Sequence, residues 1–307
     1  MLLGQKFSKI LRDILLSCQD SLNKLALQPI GVLENFRMLP LQNVEFLSLE
    51  VLDNPFQNLK ITCAHMFFRK SSDFTSAVFP NLKTVRFGMN LKGQYAVRYF
   101  PWDNPDSDVL ESIHTVDYVE VVQKLDVYAL RFITAKFPKI TKLKLEHTRY
   151  SCRMDCHIIW KFLPENLQHL ELYEDALSLD CDGYNQQFAL DSVFTGFSEK
   201  TCGVLRQFRH QIHAHTLVKR QKATICDLRG LKTLRFTFAS PQSYTKRTWF
   251  SEISGKYAFS LMPELQVIIA YDMLYPKAGD LANGLQLIAP FVRFEHREIR
   301  DDDRYYY

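Results

Sequence analysis

Seven segments of this chain share one spacing, apolar-x-x-apolar-x-apolar. They are Leu22/Leu25/Leu27, Val44/Leu47/Leu49, Leu82/Val85/Phe87, Ile140/Leu143/Leu145, Leu167/Leu170/Leu172, Leu231/Leu234/Phe236 and Leu265/Ile268/Ala270. Internal repetition constrains a fold more than any local motif, because units that recur every about 20–50 residues stack on one another instead of folding singly. Two weaker copies, Ile113/Val116/Tyr118 and Leu205/Phe208/His210, fall in the two widest gaps; all nine then start 22–38 residues apart.

What precedes the copies sharpens the unit. Five are announced by a large apolar residue and a proline: Leu39-Pro40, Phe79-Pro80, Phe137-Pro138, Leu163-Pro164 and Met262-Pro263. Proline cannot continue a helix and biases the residue before it toward extended geometry. The segments before them carry helical periodicity. Residues 121–136 place Val122, Leu125, Tyr128, Ala129 and Phe132 at three- and four-residue spacing, and residues 7–18 and 156–162 behave alike. Each unit therefore reads as helix, proline turn, short strand, loop. Stacking such units gives an α/β architecture with a parallel sheet on one side and helices on the other. The template residues point inward, and the two residues flanking the central one point out of the sheet, because strand side chains alternate.

The bulk composition is compatible with this. A chain of 307 residues, 47% hydrophobic and 23% charged, resembles folded domains and not disordered ones. The formal charge of +4 is too small to argue for nucleic acid. The apolar N-terminus is interrupted by Lys6, Lys9, Arg12 and Asp13, so no signal-peptide core is expected there, and no window reaches the about 18 apolar residues of a membrane span. The seven cysteines are odd in number and suggest no disulfide framework. The expected setting is soluble and intracellular, cytoplasmic or nuclear.

The unit ILRDILLSCQDSLNKLAL (10–27), a helix ending in cysteine followed by a polar link and a strand, resembles the repeats of F-box/leucine-rich-repeat proteins. FPNLKTVRFGMN (79–90) is the best single copy, with Asn90 at that family's asparagine position. The resemblance covers roughly residues 7–275. It implies a leucine-rich-repeat solenoid, an irregular horseshoe of about nine degenerate repeats with strands concave and helices convex, an insertion at 88–108 and a C-terminal cap at 276–307. The asparagine position is otherwise occupied by unrelated residues, so no asparagine ladder is expected. The family's F-box, an N-terminal module that docks a cullin-ligase adaptor, has no counterpart in the residues present. A role in substrate recognition by a cullin-type ubiquitin ligase is thus implied by the style of the repeats alone, beside a plain scaffold or binding protein.

If the solenoid holds, the outward strand positions form its concave face. Lys24, Arg86, Lys142, Lys144, Arg209 and Arg235 lie there, against Asp117 and Glu171. One reading is a face that takes an acidic or phosphorylated protein segment, with the arginines as forked donors; the other is a solvated strand surface. The insertion offers Tyr99, Phe100 and Trp102 as exposed anchors, or as aromatics folded back over the repeats. Catalytic chemistry finds little support. Cys152, Cys156 and His157 have no second ligand pair, the cluster His210, His213, His215 has no carboxylate or thiolate beside it, and a calcium-loop start at Asp180 places Ala189 where a glutamate is needed. The expectation is a non-catalytic protein–protein recognition module, with no cofactor, metal, nucleic acid or membrane.

Overall fold

Every one of the seven clear copies of the template forms a strand. The computed structural model describes residues 2–27, 37–52, 74–90, 111–122, 127–145, 160–173, 188–189, 191–207, 223–237, 248–271 and 277–297. The chain divides into two compact units, Met1–Cys152 and Arg153–Tyr307.

The first unit opens with helix α1 (Leu2–Cys18), as the periodicity of residues 7–18 predicts. Five parallel strands follow in chain order: β1 (Lys24–Leu27), β2 (Phe46–Leu52), β3 (Thr84–Asn90), β4 (Tyr118–Val121) and β5 (Lys142–Leu145). Helix α2 (Val127–Lys136) lies between β4 and β5 in sequence. In the second unit β6 (His169–Tyr173), β8 (Thr233–Thr237), β10 (Val267–Tyr271) and β11 (Arg293–Arg297) pair in parallel, β6 to β8, β8 to β10 and β10 to β11. A separate parallel pair joins β7 (Phe188–Ala189) to β9 (Thr248–Trp249). Helices α3 (Asp191–Thr195), α4 (Glu199–Gln207), α5 (Glu252–Tyr257) and α6 (Lys277–Ile288) and two 3-10 turns, Ile225–Asp227 and Phe259–Leu261, lie beside these strands in the sequence.

One hydrogen-bond motif recurs before six strands, β2 to β5, β8 and β10. The carbonyl of Asn23 accepts from the N–H groups of both Glu45 and Phe46; Glu45 then does so for Lys83 and Thr84, Lys83 for Asp117 and Tyr118, and Asp117 for Thr141 and Lys142. In the second unit Gln168 serves Lys232 and Thr233, and Lys232 serves Gln266 and Val267. Within each unit, each of these strands thus takes its register from the preceding strand of the sheet through one carbonyl with two lone pairs. The prolines act just upstream. Leu82, Ile140 and Leu265 donate three residues back to Phe79, Phe137 and Met262, so Pro80, Pro138 and Pro263 occupy the second position of a four-residue turn, where a fixed φ is favoured. Pro164 instead begins its turn, toward Leu167, and Pro40 precedes the turn that runs from Leu41 to Val44.

Two expected copies are corrected. Ile113/Val116/Tyr118 is out of register by three residues. The fourth strand is Tyr118–Val121, with Val119 opposite Val85 and Val121 opposite Phe87, so the buried set is Val116/Val119/Val121. Alternation in Tyr-Val-Glu-Val favours a strand, and its valines outcompete the looser match. Residue 121 accordingly ends a strand, and the helix expected from there begins at Val127. Leu205/Phe208/His210 is not a strand of the sheet: Leu205 lies in α4, and β6 pairs directly with β8. The missing copy lies in the segment read as a cap. Val292 donates to Ala289 across a turn with Pro290 at its second position, and β11 follows. His296 stands where an apolar residue would complete the template, which hid it.

Each unit has its own phenylalanine core, contributed by turns, strands and helices together. In the first, Phe137 packs on Phe74, Phe87 and Phe132 at centroid distances of 6.0, 6.4 and 6.5 Å. In the second, Phe194 meets Phe236, Phe250 and Phe259 at 4.9, 5.8 and 5.4 Å, and Phe250 meets Phe294. The edge-on pairs among them, such as Phe74–Phe137, Phe132–Phe137 and Phe194–Phe250, contribute beyond their buried area.

The buried polar residues include one fully enclosed ionisable group in each unit. Lys136, at the C-terminal end of α2, is fully enclosed; its ammonium donates to the Glu111 carbonyl at 2.7 Å and stands 5.7 Å from the Phe74 ring centre. Burial pulls its pKa down to about 8, against a smaller opposing pull from Glu111. In the second unit the buried Asp191 carboxylate accepts from Ser251 N at 2.9 Å, Ser251 Oγ at 2.8 Å and Ser254 Oγ at 2.7 Å. It ties the start of α3 to the start of α5, whose N-cap is Ser251.

Candidate interaction surface

The outward strand positions of the first unit form two rows, one residue per strand. Parallel register sets Lys24, Phe46, Thr84, Tyr118 and Lys142 side by side in one row, and Ala26, Ser48, Arg86, Glu120 and Lys144 in the other. The alternation expected from the sequence is realised on β1, where Lys24 and Ala26 are exposed while Leu25 and Leu27 are buried, and on β4; on β5 it is not, because Lys144, expected to face outward, is buried, as is Ser48 on β2. Lys142 is exposed, and Phe46, Thr84, Arg86, Tyr118 and Glu120 are half-buried.

The basic residues do not stand as independent charges. Glu120, which the three-residue shift brings onto the face in place of Asp117, lies directly between Arg86 and Lys144. Lys144 Nζ donates to Glu120 Oε1 at 2.9 Å, and Arg86 Nε stands 3.7 Å from Glu120 Oε2. Opposite charges facing each other across strands stabilise a sheet by about 0.2–1 kcal/mol per pair. Beside the strand starts, Lys83 Nζ donates to Glu45 Oε1 at 2.6 Å and holds that carboxyl below its usual range.

The second unit repeats the device. Arg235 stands opposite Glu171 in register, 4.0 Å away, and Glu295 of β11 is paired to both Arg293 and Arg297. Sequence reasoning missed Glu120 and all three charges of β11; the Tyr-Val-Glu-Val alternation and the Pro290 lead-in were the signals for them. Arg209 and the loop aromatics Tyr99, Phe100 and Trp102 lie outside the described residues, as do Cys152, Cys156, His157 and the 210–215 histidines. Asn90 ends β3, opposite Leu52.

Among the described residues no three histidine, cysteine or acidic side chains gather as a metal would require. No described helix is long and apolar enough to cross a membrane. No protein-family model and no curated protein matches the chain. The surface itself therefore carries the functional argument.

Proposed function

We propose that this protein is a non-catalytic protein-recognition module of the leucine-rich-repeat type, which captures an acidic segment of a partner on the outward face of its strands. The observation that carries the reading is the repeated carbonyl bridge. It advances a turn and a strand by the same step each time, so that side chains two residues apart on every strand line up in rows. Rows of side chains on a stiff sheet suit recognition, because they hold their spacing without a loop to order. In the first unit the exposed charges among the described outward positions are Lys24 and Lys142, both basic, while half-buried Arg86 faces Glu120.

The test is recovery of partners by the tagged full chain beside two charge reversals. Lys24→Glu with Lys142→Glu alters the face, whereas Lys9→Glu with Lys139→Glu alters exposed lysines away from it. Partners lost only with the first pair support the reading, and equal recovery from both sinks it. A cullin adaptor among those partners would assign the module to substrate recognition in a ubiquitin ligase. Its consistent absence favours a scaffold.

A further inference from the structure

Of the eight large apolar side chains exposed among the described residues, four lie on one element, α1: Phe7, Ile10, Ile14 and Leu16. The helix carries two apolar stripes. Leu11, Leu15 and Cys18 form the inner one; Leu15 is buried and the other two are half-buried. Phe7, Ile10 and Ile14 form the other, and they stay 51, 54 and 54% exposed. One stripe is enough to hold a helix on its own domain. A second, spaced three and then four residues, is the pattern by which helices pair with one another. End units of stacked repeats normally present a polar outer face, whereas α1, which leads into the first strand β1, presents an apolar one. The charges beside that stripe select what covers it. Lys6 and Asp13 each stand one residue before a stripe member, Phe7 and Ile14, so both lie on its flank away from Leu15, and both are exposed. Their separation along the helix axis is about 10 Å, too far for them to pair within one helix.

We infer that α1 is a homodimerisation helix: two copies of the chain pack their α1 helices antiparallel about a twofold axis, with Phe7 of each copy beside Ile10 of the other and Lys6 of each paired to Asp13 of the other. The register follows from the spacing. In an antiparallel pair one helix counts up as the other counts down, so the contact of Phe7 with Ile10 repeats itself across the axis. The same count brings Lys6, one residue before Phe7, to Asp13, one turn beyond Ile10. Two attractive pairs then flank the apolar seam, as flanking charges do in helix pairs whose orientation they set. A parallel pair in register would bring neither charge to its opposite. The patch also carries one charge of each sign, so it complements itself, whereas a uniformly acidic or basic partner would meet one like charge. An isologous contact of this kind closes at two copies. One helix pair covers less than the about 800 Å² per partner of a standard interface, so the dimer is weak, with a Kd of about 10 µM. This contact is independent of the strand-face reading.

The experiment is sedimentation equilibrium of the full chain from about 1 to about 100 µM, a range that brackets that Kd. Wild type is expected to pass from monomer to dimer. Ile10→Glu, at an exposed position, should leave the chain monomeric throughout, because it sets a charge in the seam of each copy. Lys6→Asp and Asp13→Lys should each weaken the dimer about tenfold, since each sets two pairs of like charges face to face, and the two together should restore it to within about twofold of wild type. That rescue reads the pairing between copies, because the two residues cannot reach each other within one helix. Lys24→Glu with Lys142→Glu, on the strand face, should leave the association unchanged. Thermal melts establish that each variant is folded. A wild-type chain that stays monomeric, a dimer that survives Ile10→Glu, or a double exchange that fails to rescue overturns the antiparallel pair. Assemblies that persist in Ile10→Glu through another exposed patch, such as Leu287 and Phe291, overturn it equally.

Discussion

Replacing Lys136 by methionine should make the protein more stable at neutral pH, and the gain should disappear in alkali. The ammonium is fully buried and donates to the Glu111 carbonyl. Its pKa falls from an ordinary 10.5 to about 8, which corresponds to about 3 kcal/mol favouring the neutral amine over the charged one. Below pH 8 the folded protein bears that cost in full, because the residue is charged in both states. From pH 8 to 10.5 the unfolded chain binds more protons than the folded one, so stability rises with pH; equivalently, the stability present above 10.5 is lost as pH falls through 8. Methionine fills a similar volume without the charge but strands the Glu111 carbonyl, a penalty of about 1–3 kcal/mol. The net gain at pH 7 should be about 1 kcal/mol. The informative quantity is the difference between wild type and Lys136→Met in urea unfolding, measured at pH 7 and pH 10. Other titrating groups cancel in that difference, leaving wild type better by about 2–3 kcal/mol at the higher pH relative to the lower. A difference that stays constant across that range would refute the burial of the charge, and with it the packing of α2 described above.

Three further outcomes follow from the packing. Asp191→Ala should destabilise the chain by about 3 kcal/mol, because it strips the acceptor from two serine hydroxyls and one N–H, read by urea unfolding. Two glycines should respond with opposite signs in the same measurement. Gly203→Ala in α4, with open space around its missing side chain, should stabilise by up to about 1 kcal/mol. Gly255→Val in α5, where a Cβ collides with the buried Leu285, should cost about 1–3 kcal/mol. The strand register is tested by Val119→Ala against Tyr118→Ala: the first empties a buried site and should cost about 2 kcal/mol, while the second, half-buried on the outward row, should cost less. The reverse order would restore the register read from the sequence, in which Tyr118 is the buried plug.

The sequence disclosed the strands where three constraints agreed. At 79–87 the proline turn, the buried plugs and the alternation all point to one register, and β3 lies where they place it. Around 113–121 no proline lead-in marks the start, so two overlapping valine patterns compete. The Tyr-Val-Glu-Val alternation favours the later one, and the carbonyl bridge from Lys83 to Asp117 and Tyr118 fixes it. At 205–210 the spacing fits a strand, but residues 199–207 form a helix whose Cys202 and Leu205 pack with Phe197 and Ile253. Tertiary packing overrides a six-residue pattern there. The buried Asp191 and Lys136 were invisible, since nothing local distinguishes a buried charge from a solvated one.

The same limit explains why the face looked more basic in sequence than it is in space. A list of outward residues treats each lysine and arginine as free, whereas cross-strand register gives Arg86 and Lys144 a shared carboxylate and gives Arg235 its own. Pairing lowers the long-range field that would attract any polyanion, and screening at physiological salt reduces it further beyond about 8 Å. What a partner can meet is decided by which groups the register leaves at the surface: Lys24 and Lys142 are exposed, whereas Ser48 and Lys144 are buried. Register, more than net charge, therefore sets what this surface can hold.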